Sequence, residues 1–88
     1  MVARNNHAPD APQREAATFY GLFLRGHSVE ALRQDIDIPE ALLQKWMRSR
    51  VYEERFRETL RGLYHYRKQV LAIFDQLVCN ESVRQRLQ

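Results

Sequence analysis

The side chains best suited to catalysis or metal binding are few in this chain and lie far apart. The three histidines and the single cysteine are His7, His27, His65 and Cys79, and no two of them are three or four residues apart. A structural zinc site needs such paired spacings, so the sequence predicts no metal centre. It also contains no glycine-rich phosphate loop and no arrangement of histidine with serine or cysteine that indicates a nucleophile. We therefore expect a protein that is not an enzyme and takes no cofactor or small-molecule substrate.

Charge is more informative, because the positive residues cluster in one part of the chain. The 88 residues include 14 lysines and arginines and 11 aspartates and glutamates, for a formal net charge of +3. Residues 45–68 contain eight of the cations and three carboxylates, whereas residues 25–41 contain two cations and four carboxylates. Such a basic cluster is typical of a nucleic-acid-binding surface. The alternative for residues 53–61 is a solvated helix face on which arginines and glutamates pair.

Length and composition predict one small globular domain. Hydrophobic residues make up 44% of the chain and charged residues 28%, and 88 residues are too few for a second core. No segment has the apolar centre of a signal peptide or approaches the roughly 18 apolar residues of a membrane span. The lone cysteine suits a reducing compartment. We expect a cytoplasmic protein that does not enter the membrane.

Apolar periodicity predicts an all-α fold without strands. Apolar residues recur at three- and four-residue steps over residues 12–25 and 28–36, and again in a third helix opened by Pro39. Gly26 would end the first helix, and the Ser28 hydroxyl would cap the second.

The two ends of the chain are predicted to differ from this three-helix part. Residues 1–11 have no apolar periodicity, and we expect them to form a disordered lead-in. Residues 51–78 contain one glycine and no proline, which favours one long helix. Asn80 or Ser82 could begin a short terminal helix, so residues 51–88 form a long C-terminal helix with or without that last element.

The stretch from Gly26 to Trp46 has the layout of two short helices joined by a tight turn. For the helices to cross steeply, apolar residues of the first must meet those of the second. The residues concerned are Leu32, Ile36, Leu43 and Trp46, with Ile38 filling the corner between the helices.

With the aromatic residues Tyr52 and Phe56 after the tryptophan, residues 13–56 resemble the helix-turn-helix family of transposases, phage terminase small subunits and homeodomain-like regulators. The resemblance implies a helix-turn-helix three-helix core over residues 12–50. Two positions depart from the family pattern: Arg33 stands where a small residue is usual, and Asp37 where the turn usually has glycine.

The leading functional hypothesis is a DNA-binding module, either a transcriptional regulator or a mobile-element or phage-type DNA-recognition protein. Its third helix would enter the major groove of double-stranded DNA, with Glu40 and Ala41 also on the outer face. The candidate DNA-binding residues are Gln44, Lys45, Arg48, Arg50, Arg55 and Arg57. Acidic residues near the turn would oppose phosphate binding, and they are Asp35, Asp37 and Glu40.

The rival hypothesis is a non-catalytic protein-interaction or assembly module, which the acidic turn favours. Its interface would be the apolar stripe of the long helix, formed by Phe56, Leu60, Leu63, Val70, Phe74 and Leu77. Three short helices would leave part of this stripe in water, so we expect a homodimer through residues 56–77. The alternative is a bend near Gly62 or after Cys79 that buries the stripe within a monomer.

Overall fold

A computed structural model describes residues 10–86, which form four α-helices and no strand. The helices are α1 (Ala11–Leu24), α2 (Val29–Ile36), α3 (Glu40–Arg48) and α4 (Glu54–Arg86). The predicted all-α fold with a long last helix is confirmed. Most of the predicted lead-in lies outside the described residues, although α1 already begins at Ala11, within that predicted range.

Local signals set the ends of the first three helices. Pro12 lies in the first turn of α1, where its missing N–H is not needed, and Gly26 follows the helix with a φ of 107°. The Ser28 hydroxyl accepts a hydrogen bond from the backbone N–H of Ala31 at 3.1 Å and caps α2. Asp37 and Pro39 then have extended backbone, so α2 ends at Ile36 before α3 begins.

The long helix α4 is the element against which the other three pack. It has 33 residues and continues without a break past Gly62, Cys79 and Ser82, so no separate terminal helix follows. Contacts of Glu15 with Tyr66 and of Tyr20 with Glu81 show that α1 runs parallel to the C-terminal part of α4. Two ion pairs join α2 and the residue after it to α4, Arg33 to Asp75 and Asp37 to Lys68. The later of Arg33 and Asp37 thus contacts the earlier residue of α4, so α2 is antiparallel to α4.

The hydrophobic core lies where α1 and α2 meet α4. Its buried residues are Ala16, Leu32, Ile36, Val70, Leu71 and Phe74. In the C-terminal half of the predicted apolar stripe, Val70 and Phe74 are thus buried and Leu77 is half-buried within the monomer, while α4 is continuous past Gly62 and Cys79. The N-terminal half is covered less completely, since Phe56 is 46% exposed and Leu63 is 41% exposed.

The third helix packs on α4 and not on α2. Within residues 10–86, no Cα atom of α3 lies within 8 Å of a Cα atom of α1 or α2. Leu32 and Ile36 belong to the core on α4, Leu43 is buried outside that cluster, and Trp46 is half-buried. The predicted packing of α2 against α3 is therefore not found, and a helix-turn-helix core is not confirmed.

The physical reason lies in the link between α2 and α3. A left-handed residue would reverse the chain sharply at this turn, but Asp37 is extended and its carboxylate contacts Lys68 Nζ of α4 at 2.7 Å. The α2 helix is also held to α4 by the Arg33–Asp75 pair. The chain then continues through Pro39 into α3, and Ser49 at the end of α3 contacts Arg57, so α3 leads toward the N-terminal part of α4.

Arg67, which interrupts the apolar stripe, has its partner on α1. Its Nη1 donates to Glu15 Oε2 at 3.0 Å, and the hydroxyl of Tyr66 donates to Glu15 Oε1 at 2.7 Å. Burial, followed by the hydrogen bond to Glu15, raises the pKa of the Tyr66 hydroxyl above its usual 10.0. This contact joins α1 to the middle of α4.

The raised pKa of Tyr66 predicts a loss of stability in alkaline solution. The folded protein holds the phenolic proton to a higher pH than the unfolded chain, so this contribution is complete below pH 10.0 and is lost as pH rises through the folded pKa. Thermal melting between pH 8 and pH 11 should therefore depend less on pH in Tyr66→Phe than in the wild type. Tyr52→Phe is the control, because Tyr52 has no hydrogen-bond partner among residues 10–86. Equal pH dependence in the wild type and Tyr66→Phe would contradict this prediction.

Candidate nucleic-acid-binding surface

The outer face of α3 is open to solvent. Leu43 is buried on the side of the helix that meets α4, and Trp46 and Met47 beside it are half-buried. The opposite side of the helix consists of exposed residues, which are Glu40, Ala41, Gln44, Lys45 and Arg48. These are the five residues that the sequence assigns to the outer face.

The turn between α3 and α4 is held by hydrogen bonds to its own backbone. Arg57 Nη2 donates to the Ser49 carbonyl at 2.6 Å, and the Ser49 hydroxyl accepts from the Val51 N–H at 3.2 Å. Arg57 Nη1 also lies 3.5 Å from a carboxylate oxygen of Glu54. We call residues 48–56 the α3–α4 corner, and these contacts fix its shape.

Most of the predicted DNA-binding cations are free to bind an anion. Lys45, Arg48, Arg50 and Arg55 are exposed, and none of their side chains forms an ion pair or hydrogen bond with another of the described residues. Arg57 differs, because its half-buried side chain already donates a hydrogen bond to the Ser49 carbonyl. The structure thus brings four cations to one end of the molecule and gives Arg57 a positioning role.

The acidic turn opposes phosphate binding less than the sequence suggests. The carboxylate of Asp37 is paired with Lys68, and this hydrogen bond is the main reason that the pKa of the Lys68 ammonium is raised. Lys68 Nζ also lies 5.1 Å from the centre of the Tyr64 ring. Asp35 and Glu40 remain exposed. Part of the negative charge near α3 is therefore already neutralised within the fold.

From the sequence, Tyr52 and Phe56 are part of the helix-turn-helix resemblance, but sequence reasoning missed that their rings pack together at the corner with Phe56 exposed. The rings of Tyr52 and Phe56 are 5.0 Å apart between centroids, and Val51 beside them is 85% exposed. The sequence pattern places Phe56 in the apolar stripe of the long helix, because its spacing to Leu60 and Leu63 fits that stripe. One sequence signal could have indicated this exposed apolar surface. Val51 and Tyr52 lie between an arginine and a glutamate in the short link between α3 and α4.

An open cleft of about 420 Å³ lies beside α2, lined by Glu30, Arg33, Gln34, Asp37 and Pro39. Arg33 and Asp37 are already paired with residues of α4. Within residues 10–86, no three histidine, cysteine or carboxylate side chains come together as metal ligands, and none of the helices there has the length and apolar character to cross a membrane.

No protein-family model matches the chain, and neither does a curated protein or a solved structure. Function must therefore be inferred from the charges and geometry of the chain itself.

Proposed function

We propose that the protein binds double-stranded DNA through the outer face of α3 and the α3–α4 corner. The observation that carries this proposal is the group of four exposed, unpaired cations, Lys45, Arg48, Arg50 and Arg55, at one end of the molecule. Phosphate contacts supply most of the affinity of DNA-binding proteins, and a cation without an internal partner can bind phosphate without breaking an ion pair.

The shape of α3 supports the same proposal. A single helix fits the major groove of B-DNA, and the outer face of α3 is not covered by α1 or α2. Gln44 on this face has the amide group that pairs with adenine, and Lys45 and Arg48 beside it suit guanine or phosphate. Arg50 and Arg55 would contact the backbone, while Arg57 maintains the corner.

In this role the protein is a non-catalytic DNA-recognition protein, such as a transcriptional regulator or a mobile-element or phage-type binder, acting in the cytoplasm. The single exposed cysteine, Cys79, suits such a reducing compartment.

The direct test is a fluorescence-anisotropy titration of the chain with a 20-base-pair duplex at several salt concentrations. Each phosphate contact contributes about −0.9 to the slope of log K against log salt, so four contacts predict a slope of about −3 to −4. Absence of binding at low salt, or affinity that does not change with salt, would contradict the proposal.

A second candidate, a protein-interaction or assembly module, is favoured by apolar side chains exposed at the same end. These are Leu42, Val51, Phe56 and Leu63. A homodimer through the predicted residues 56–77 would use mainly the part near Phe56 and Leu63, because Val70 and Phe74 are already buried within the monomer.

Sedimentation equilibrium at tens of micromolar tests this candidate. The expected mass for the assembly module is twice the 10.5 kDa of one chain. Leu63→Asp should then shift the protein toward the monomer, because it would bury a charge in the interface. A single 10.5 kDa species in the wild type would exclude the homodimer.

A further inference from the structure

We infer that the α3–α4 corner stacks on unpaired bases, so that the preferred ligand is duplex DNA that contains a few unpaired nucleotides. This inference rests on the proposed function, because the cations of α3 must hold the adjoining duplex. It adds a preference among DNA structures that a phosphate-binding surface alone would not have.

The first support is an aromatic pair in which Phe56 is exposed and Tyr52 is half-buried. Phe56 is 46% exposed and lies against Tyr52, with 5.0 Å between ring centroids. The corner that carries both rings is held by the bond from Arg57 to the Ser49 carbonyl at 2.6 Å. A ring held this way loses little conformational freedom on binding, which favours stacking.

The second support is the charge around these rings. Arg48, Arg50 and Arg55 belong to the same corner, are exposed and form no ion pair with the described residues. The corner also contains two carboxylates, of which Glu54 is paired with Arg57 and Arg61 and Glu53 is exposed. Three unpaired arginines against one unpaired carboxylate leave the corner positive, so the same corner of a second copy would be repelled. A polyanion with flat aromatic groups matches both the rings and the charges, and this combination is typical of surfaces that bind single-stranded nucleic acid.

Unpaired bases are required because an intact duplex hides the faces of its bases. Within the stack, only base edges are accessible in the grooves. A ring such as that of Phe56 can stack only on a base whose neighbour has been removed or displaced. Val51, which is 85% exposed next to Tyr52, could occupy the space beside such a base.

The test compares an intact 20-base-pair duplex with the same duplex carrying a central two-nucleotide bulge, by anisotropy at fixed salt. Stacking on one base corresponds to about 5- to 100-fold in affinity, so the wild type should bind the bulged duplex at least about fivefold more tightly. Phe56→Leu should bring the ratio of bulged-duplex affinity to intact-duplex affinity close to one, because it keeps an apolar side chain without a flat ring.

Leu63→Ala is the matched control, because Leu63 is exposed to a similar extent on the same helix but lies outside the corner. It should keep the preference for the bulge. Circular dichroism verifies that each variant is folded. If Phe56→Leu does not fold, Tyr52→Leu is tested in its place.

Three outcomes would overturn the inference. Equal affinity of the wild type for both DNAs would do so while leaving the proposed function intact, whereas absence of binding to either DNA would remove both. Loss of a dimer in Phe56→Leu, seen by sedimentation, would assign the rings to contact with a second copy.

Discussion

Phe74→Ala is expected to lower the free energy of unfolding by about 3–5 kcal/mol, which is a large part of the total for a domain of this size. The side chain of Phe74 is fully buried, in a cluster that joins α4 to Ala16 of α1 and to Leu32 and Ile36 of α2. Truncation leaves a cavity at the point where three helices meet. The surrounding side chains cannot fill this cavity unless a whole helix moves. Urea unfolding followed by circular dichroism measures the change.

Trp46→Ala is the informative comparison for this prediction. Trp46 is half-buried on α3, which lies outside the core cluster, so its truncation should cost clearly less than that of Phe74. Trp46 is the only tryptophan of the chain, so its replacement removes the tryptophan fluorescence that would otherwise report unfolding. Unfolding is therefore followed by circular dichroism. A loss in Trp46→Ala equal to that in Phe74→Ala would show that α3 belongs to the main core.

Replacing Lys45, Arg48 and Arg50 together by alanine is expected to weaken duplex binding by about 100-fold, at about 1 kcal/mol for each lost contact. The salt dependence should become shallower by up to about three units of log–log slope, one for each phosphate contact removed. The fold should be unaffected, because all three side chains are exposed and serve no internal ion pair among the described residues. Anisotropy titrations at two salt concentrations give both quantities.

The matched control removes three positive charges elsewhere on the molecule. Arg14 and Arg25 lie in and just after α1, and Arg84 lies near the end of α4, so the variant Arg14/Arg25/Arg84→Ala has the same net charge as the α3 variant. Its affinity should fall only through the weaker overall field of the protein. An equal loss in the two triple variants would mean that net charge, and not the surface of α3, determines binding.

The helices could be predicted from the sequence because their ends depend on neighbouring residues. Gly26 adopts a φ that favours glycine, and Ser28 caps a helix that begins at the next residue. Pro39 comes directly before α3. Each of these signals acts over three or four residues, which is the range that a sequence pattern reports reliably.

The packing of the helices could not be predicted in the same way. It depends on contacts between residues far apart in the chain, above all the burial of Leu32 and Ile36 against Val70 and Phe74. Exposed ion pairs, such as that of Arg33 with Asp75, 42 residues away, add little to the stability. Arg33 stands where the helix-turn-helix pattern has a small residue, and in the structure it forms an ion pair with Asp75 of α4. The sequence showed the departure from the pattern, but not the distant partner that accounts for it.

The candidate site was predictable to the extent that it depends on charge. Lys45, Arg48, Arg50 and Arg55 are exposed as expected, because charged residues opposite an apolar face remain in water. The role of Arg57 depends on the position of a backbone carbonyl, and no side-chain pattern reports such a position.

The attachment of α3 to α4 alone also bears on how the molecule opens. Separation of α3 from α4 would break none of the contacts among α1, α2 and the C-terminal part of α4 that form the core. Such a local opening should cost less free energy than global unfolding, so we expect backbone amides of α3 to exchange with solvent through it and those near Phe74 to exchange only on global unfolding. Among residues 10–86, α3 is thus the helix whose separation from α4 would leave the core cluster intact.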